Sequence, residues 1–568
     1  KYHYKCLPDE RKSFRLLKLL PGKGEDPIRC ELSIEDVDNA PPYEAISYTW
    51  GEPADKISVL CHGKHTIVAI HLRDALRRLR HENASRTLWA DAICINQGDK
   101  KERGHQVQIM GPIFERAQRV LVWLGLGTDF DSGAAFELVR SLYPIFDALR
   151  YPSPNVEPPD LEAHVACVAQ SQWEAFGELL CCPWFTRVWI LQEIGLASEA
   201  LVFCGEHWIS WSDLIIVCDQ IYLRCSKIRR AYKLYLTNVI NIMDLSFKSD
   251  TEEDIRFILY TASNSDCSDD RDRMYALLGH AAFKQFCIDS RKSQFIVVDY
   301  SLPFLDFCFN VAAALLELDN PLNFLSIVSH TEDSIQAPER TSWAPQWDIP
   351  NWNSLFHYRF YSVSRSMAEH LSLYDRVLKV EGLLIDSVIF YSEKLRYWDI
   401  EGPLLTKTNT LNLLKKLWED LKNMYPVSWS TESEKEHVFE KFCMTLNVGG
   451  AVRGKTGTHS LNIRDRMADC LAYFDKAGIE LSSETRFNHQ FEGGDSFRFL
   501  ETSLGYSHHR CFFVTEKGHF GVGPTVMIPN DKVCVLFGAS MPSILRPQEN
   551  GDYRFCGQCY VHGIMYGE

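Results

Sequence analysis

An α/β fold is what the sequence predicts: a small, open, mostly parallel sheet flanked by helices, followed by a helical region and a β-rich C-terminal region. Three observations carry this. Between Leu88 and Gly125, two short apolar runs rich in β-formers flank a segment whose Val107, Met110, Ile113, Phe114 and Ala117 recur mostly every three or four residues. That is strand, helix, strand, with a helix long enough to connect parallel strands. From Tyr43 to about Trp211 such elements alternate, as they do when helices cover an open sheet. From Cys511 onward the short runs Phe512 to Thr515, Lys532 to Phe537 and Cys559 to Ile564 alternate with glycines, the pattern of a compact antiparallel unit.

Taken in order, Ser13 to Leu20 is a strand closed by Pro21-Gly22, and Ile28 to Leu32 is a second. Pro41-Pro42 stops the preceding chain and delivers it into a strand from Tyr43 to Trp50. Ile57 to Leu60 and His65 to Ile70, around His62-Gly63-Lys64, read as a hairpin. Leu72, Ala75, Leu76 and Leu79 form the buried stripe of a basic helix. Gly111-Pro112 inside the next helix predicts a kink or early break. Ser132 to Leu149 is helical with a bend at Pro144, and Pro152 to Pro159 is an exposed loop. Trp173 to Leu180 and Trp184 to Ala197 are helices, and Ala200 to Cys204 is a strand. Leu214 to Gly279 is mostly helical and Phe304 to Leu318 is a further apolar helix. The expected division is 1–211 for the α/β domain, 212–330 helical, 331–480 mixed α/β and 481–568 β-rich.

The 568 residues are too many for one core and imply two to four domains. A hydrophobic content of 46% describes a folded chain. The net charge of -15 argues against a nucleic-acid partner, which would need a basic face. The run Lys227, Arg229, Arg230 and Lys233 reads as a solvated helix face. Nineteen scattered cysteines with no secretory signal before them point to reduced thiols and a cytoplasmic protein. The pair Cys556 and Cys559 has no partner pair at zinc spacing, so no metal is expected. No apolar stretch approaches the roughly 20 residues of a membrane span. A phosphate-binding loop of the Gly-Lys-Ser/Thr type is absent, which disfavours NTPase chemistry.

Three long motifs carry a resemblance. Tyr43-Glu-Ala-Ile-Ser-Tyr-Thr-Trp-Gly51, then Trp89-Ala-Asp-Ala-Ile-Cys-Ile-Asn-Gln97 with Glu102, Gln106, Met110 and Val122-Trp-Leu-Gly125, then Cys182-Pro-Trp-Phe-Thr-Arg-Val-Trp-Ile-Leu-Gln-Glu193 occur in order. They resemble the fungal heterokaryon-incompatibility (HET) domain. Asp270-Arg-Asp-Arg-Met-Tyr-Ala-Leu-Leu-Gly279 and Gly557-Gln-Cys-Tyr-Val-His-Gly-Ile-Met565 resemble stretches of the longer HET proteins, so the likeness covers nearly the whole chain. A remoter similarity runs to Toll-interleukin receptor (TIR) domains. Tyr43 to Tyr48 is similar to their first strand, Ile113 to Leu124 to a helix and strand, and Trp189-Ile-Leu-Gln-Glu193 to their Trp-Cys-x-x-Glu helix, with Ile190 where they often carry Cys. In TIR enzymes that glutamate cleaves NAD, so the resemblance implies Glu193 as the catalytic residue.

The residues have readings of their own. Glu193 sits among apolar neighbours, where a carboxylate is paired, exposed or functional because burying it alone is costly. A carboxylate there would stabilise the oxocarbenium-like state of nicotinamide loss; alternatively it pairs with Arg187. Asp91 either binds ribose hydroxyls or caps its loop. Trp50-Gly51 offers an aromatic surface with close backbone approach, or a packed strand end. Arg187 reaches a pyrophosphate or pairs with Glu193 or Glu178. With Ser47, Asn96 and Gln97 these complete the candidate nucleotide-binding set. Glu102 suits a helix N-terminus through the dipole. Cys94, with His105 as its base, is a nominal nucleophile, but reads as a small buried thiol.

Three functions follow. The first is a HET protein of self/non-self recognition and programmed cell death whose TIR-like domain hydrolyses NAD or a related nucleotide, needing no cofactor. The second is a non-catalytic signalling module that self-associates or binds a protein partner. The third is the same scaffold turned to a small-molecule step of secondary metabolism, since fold does not fix function.

Overall fold

The computed structural model describes residues 2–9, 11–52, 54–150, 164–165, 167–246, 255–281, 283–284, 296–318, 320–351, 363–364, 370–395, 407–424, 432–450, 463–476, 478 and 493–565. The proline-rich loop from Pro152 to Pro159 lies outside them. The chain forms two compact units, Lys1–Glu253 with Ser265–Leu302 and Asp254–Asn264 with Pro303–Glu568. The stretch expected to be helical over 212–330 contributes to both.

The first unit is built on strands β1 (Ser13–Leu19), β2 (Arg29–Asp36), β3 (Glu44–Tyr48), β4 (Lys56–Cys61), β5 (Lys64–Ala69), β6 (Arg86–Trp89), β7 (Val120–Trp123), β8 (Ala200–Cys204) and β9 (His207–Ser210). Their order in the sheet is β5-β4-β2-β1-β6-β3-β7-β8-β9. The centre, β6-β3-β7-β8, is parallel. Antiparallel pairs widen it on both sides, including the expected β4-β5 hairpin. β3 and β7 are buried on both faces, which is why they read as near-continuous apolar runs. β6 and β7 are not neighbours, because β3 lies between them. In chain order the parallel strands therefore stand 2-1-3-4, a doubly wound arrangement whose winding reverses at β3.

Helices α1 (Ile70–Leu79), α2 (Asp91–Cys94), α3 (Lys100–Arg116) and α4 (Ser132–Arg150) follow the expected pattern. Asp99 caps α3 by accepting from the main-chain N–H of Lys101 and Glu102. The early break expected at Gly111-Pro112 does not occur; α3 runs on to Arg116. Gly111 serves packing instead, since a Cβ there would lie 3.1 Å from the Cα of Gly279. A larger departure concerns Trp184 to Ala197, which is not one helix. A 3-10 turn at Pro183–Thr186 gives way to extended Arg187, and only one helical turn, Ile190–Glu193, follows. Asp266 takes the backbone there: its N–H donates to the Thr186 carbonyl at 2.6 Å and its carbonyl accepts from Val188 at 2.9 Å.

In the second unit, the hairpin β10 (Ser372–Tyr374) and β11 (Val377–Lys379) precedes β12 (Gly382–Tyr391), β13 (Arg510–Thr515), β14 (Phe520–Pro524), β15 (Lys532–Leu536), β16 (Ser543–Pro547), β17 (Tyr553–Gln558) and β18 (Tyr560–Val561). The sheet order is β17-β16-β15-β12-β13-β14-β18. Its two outermost strands, β17 and β18, are consecutive in the chain on either side of Cys559, so the sheet closes into a barrel. Among the helices before β13, Glu432–Leu446, Ile463–Lys476 and Ser496–Ser507 pack Phe442, Phe474 and Phe499 onto Phe512 and Phe520 of the barrel. Cys443 and Cys470, expected as free thiols, form a disulfide because their helices bring the Cα atoms within 6.6 Å.

One buried ion pair ties strand β1 to the first turn of helix α3. Arg15 Nη1 and Nη2 donate to the two carboxylate oxygens of Glu102 at 2.7 and 3.0 Å, and Nη1 also donates to the Cys94 carbonyl. Glu102 accepts in addition from the main-chain N–H of Asn96 at 2.7 Å. Its role is thus wider than the dipole preference that its position suggests. Removing one partner strands a charge in the interior. Arg15→Met or Glu102→Gln should therefore destabilise the first unit by about 3–5 kcal/mol. Arg15→Met combined with Glu102→Leu should cost less than either single change. Denaturant unfolding followed by tryptophan fluorescence reads both.

Candidate functional site

The carboxyl ends of β3, β6 and β7 meet where the winding reverses, the place at which open α/β sheets bind ligands. β3 delivers Ser47 and Tyr48, the turn after β6 delivers Asp91, and the segment 183–193 delivers Trp184, Arg187 and Glu193. They surround a tight cleft, too narrow for a water molecule, lined by Ile46, Tyr48, Trp89, Asp91, Met110, Phe114, Arg187 and Glu193.

Glu193 is 4% exposed. Its Oε2 accepts from the Ser47 hydroxyl, and Arg187 Nη1 and Nη2 approach its two oxygens at 3.4 and 3.3 Å. Ser47 in turn accepts from the Trp184 indole at 2.7 Å. Burial pushes the Glu193 carboxyl above the usual range, against the opposing pull of Arg187 and Ser47. Asp91 is held differently. Its carboxylate accepts from the Tyr48 hydroxyl and the Trp50 indole, both at 2.8 Å, and from the N–H of Ala92 at 2.7 Å. Burial, with Asp91 beside it, raises the Tyr48 phenol well above its ordinary value, so Tyr48 stays a donor.

Of the residues singled out from sequence, Asp91, Arg187 and Glu193 line one cavity and Ser47 is bonded to its edge. Trp50 stands 48% exposed with its indole on Asp91, and exposed Gly51 adopts a left-handed φ of 72°. Asn96 and Gln97 do not line the cavity. Asn96 donates its N–H to Glu102, and the Gln97 amide donates to the Asp91 carbonyl at 3.0 Å, bracing the loop. Burial pushes the Cys94 thiol up to about 12, the opposite of an activated nucleophile. Tyr48 and Trp184 were missed as site residues, although both stand inside the motifs and flank the serine and the arginine.

Asp272 was also missed. It accepts from the Trp189 indole at 3.3 Å and from the Tyr300 hydroxyl at 2.7 Å, and so fastens the 187–193 segment from behind. The Arg103 guanidinium lies 4.2 Å over the Tyr300 ring. Only sequence position, within Asp270-Arg-Asp-Arg, marked it in advance.

Residues 43–193 match the family model described as Heterokaryon incompatibility protein (HET), and residues 433–568 match the Het-6 beta-barrel domain. The first match begins just before β3 and ends on Glu193, so it encloses the whole cavity; the second covers β13 to β18. The chain thus carries a HET domain and a Het-6 beta-barrel domain. It is similar along its full length to Heterokaryon incompatibility protein 6, OR allele, of Neurospora crassa, at 22% identity over 672 aligned positions covering 100% of this chain and 96% of that protein. No solved structure matches it. Among the described residues no helix is long and apolar enough to cross a membrane.

Burial raises the Asp272 carboxyl to about 6 from its ordinary 3.8. The folded chain then binds this proton more tightly than the unfolded chain, so protonation favours folding. Relative to Asp272→Asn, the native protein should gain about 1–3 kcal/mol as pH falls from 7 to 4. Parallel denaturant titrations across that range measure it; a constant difference would show that the carboxyl does not titrate there.

Proposed function

We propose that the HET domain of this chain cleaves the N-glycosidic bond of NAD or a related nucleotide, and that this reaction serves self/non-self recognition and the cell death that follows it. The observation that carries the reading is the convergence of Glu193 and Asp91 on one cavity at the reversal of the sheet. In this reaction the bond between ribose C1′ and the nicotinamide nitrogen breaks, the electron pair leaves with nicotinamide, and water adds to C1′. The transient positive charge on the ribose is what a buried carboxylate stabilises best. Glu193 fills that role, and the Ser47 hydroxyl and Arg187 hold it in place. Asp91, fixed by Tyr48, Trp50 and Ala92, is positioned for ribose hydroxyls. As the side chains stand, the cleft has no room for a ring or even a water molecule, so substrate entry requires them to part. The rest of the substrate would extend past the exposed Trp50.

A second reading has one specific observation in its favour. Both oxygens of Glu193 are already engaged, by Ser47 and Arg187, so the acid also qualifies as a strut in a non-catalytic signalling module. Incubation of the purified chain with NAD separates the two. The enzyme reading expects free nicotinamide, reduced about a hundredfold or more in Glu193→Gln at unchanged circular dichroism. It also expects turnover to rise with pH through an ionisation above the usual glutamate range, since the charged form acts. Equal turnover in Glu193→Gln, or no nicotinamide from a folded wild-type chain, would leave the strut.

A further inference from the structure

The barrel unit contains a larger cavity, about 260 Å³, and its chemistry runs against that of the chain. The protein carries a net charge of -15, yet Lys394, His509 and Arg510 line this cavity and no Asp or Glu does. Arg510 opens β13 and is 4% exposed. Its Nη2 donates to the main-chain carbonyls of Gln558 and Val522. Its Nε is buried and has no partner, and among the described residues no carboxylate pairs with it. Gln558 is 1% exposed, and neither atom of its side-chain amide has a partner.

A buried guanidinium without a counter-charge beside an unsatisfied buried amide is expensive. The fold nevertheless holds both in place. Gly557, at φ 141°, allows the turn from β17 into β18 that presents Gln558, and a Cβ there would lie 3.2 Å from Pro524. His509, in the left-handed region at φ 54°, donates its main-chain N–H to the Leu395 carbonyl, and Leu395 donates its own to the Arg510 carbonyl, each at 2.8 Å. Lys394 Nζ lies 3.0 Å from His509 Nδ1. Val328, Ile349, Pro350 and Pro524 add apolar surface to the same lining. Cation, amide and hydrocarbon together are the lining of a small-molecule site.

We propose that this cavity binds a small organic anion, its phosphate or carboxylate held by Arg510 with Lys394 and Gln558, and its apolar body against Val328, Ile349 and Pro350. The anion supplies the missing counter-charge and an acceptor for the free N–H groups. This site lies in the second unit and does not depend on the reading of Glu193.

Calorimetric titration of the full chain at constant ionic strength tests it, with phenyl phosphate and benzoate as separate arms. One or both should bind at millimolar concentration or tighter, and the preferred probe identifies the headgroup. Arg510→Met should weaken binding about ten- to a hundredfold, while Glu193→Gln leaves it unchanged. If Arg510→Met does not fold, Lys394→Met, at a half-buried position, decides the matter with an expected loss of at least about threefold. Binding of neither probe, or affinity unchanged in both barrel variants, overturns the proposal, as does binding lost with Arg187→Met alone.

Discussion

A carboxylate buried at the end of the central strand sets the terms for the first unit. Glu193 cannot be ionised there unless its charge is answered, and the answer comes from the Ser47 hydroxyl on β3 and from the Arg187 guanidinium six residues back in its own segment. Trp184 fixes Ser47, Asp266 holds the backbone on either side of Arg187, and Asp272 anchors Trp189. The segment 183–193 leaves regular helix where Asp266 pairs with Thr186 and Val188, and the break sets Arg187 against the buried acid.

Two of the buried guanidinium groups, those of Arg15 and Arg510, invite comparison. Arg15 meets a bidentate carboxylate, two further carbonyls and a neighbouring tyrosine ring, so its charge is answered. Arg510 meets carbonyls alone. The Nε of each lacks a partner, but the first fastens β1 to α3 through a carboxylate, while the second stands at the wall of a cavity with no carboxylate against it. The same side chain serves as a rivet in one unit and as a receptor in the other, and the difference lies in whether the fold supplies an anion.

What could be read in advance follows from how local the cause is. β3 and β7 were legible because strands covered on both faces are apolar throughout, and the β4-β5 hairpin because its turn is chemically marked. Asp91, Arg187 and Glu193 were legible as a set only through their motifs; no periodicity links residues so far apart in sequence. The interruption at Arg187 was not legible, since Asp266 causes it from outside the segment. Nor was continuous α3, because the contact of Gly111 with Gly279 is visible only in three dimensions. The insertion of β12 between β13 and β15 escaped for the same reason.

Closure of the barrel has a bearing on how the chain is made. β12 can complete its hydrogen bonding only after β13 and β15 have been synthesised, and the ring is sealed last of all by the short β18 against β14. Until then β12 and β14 present open edges, which invite pairing with other molecules. Such long-range pairing also forms slowly. Nascent or clipped forms lacking the final strands should therefore be the aggregation-prone species, and the ribosome-bound chain a client for chaperones.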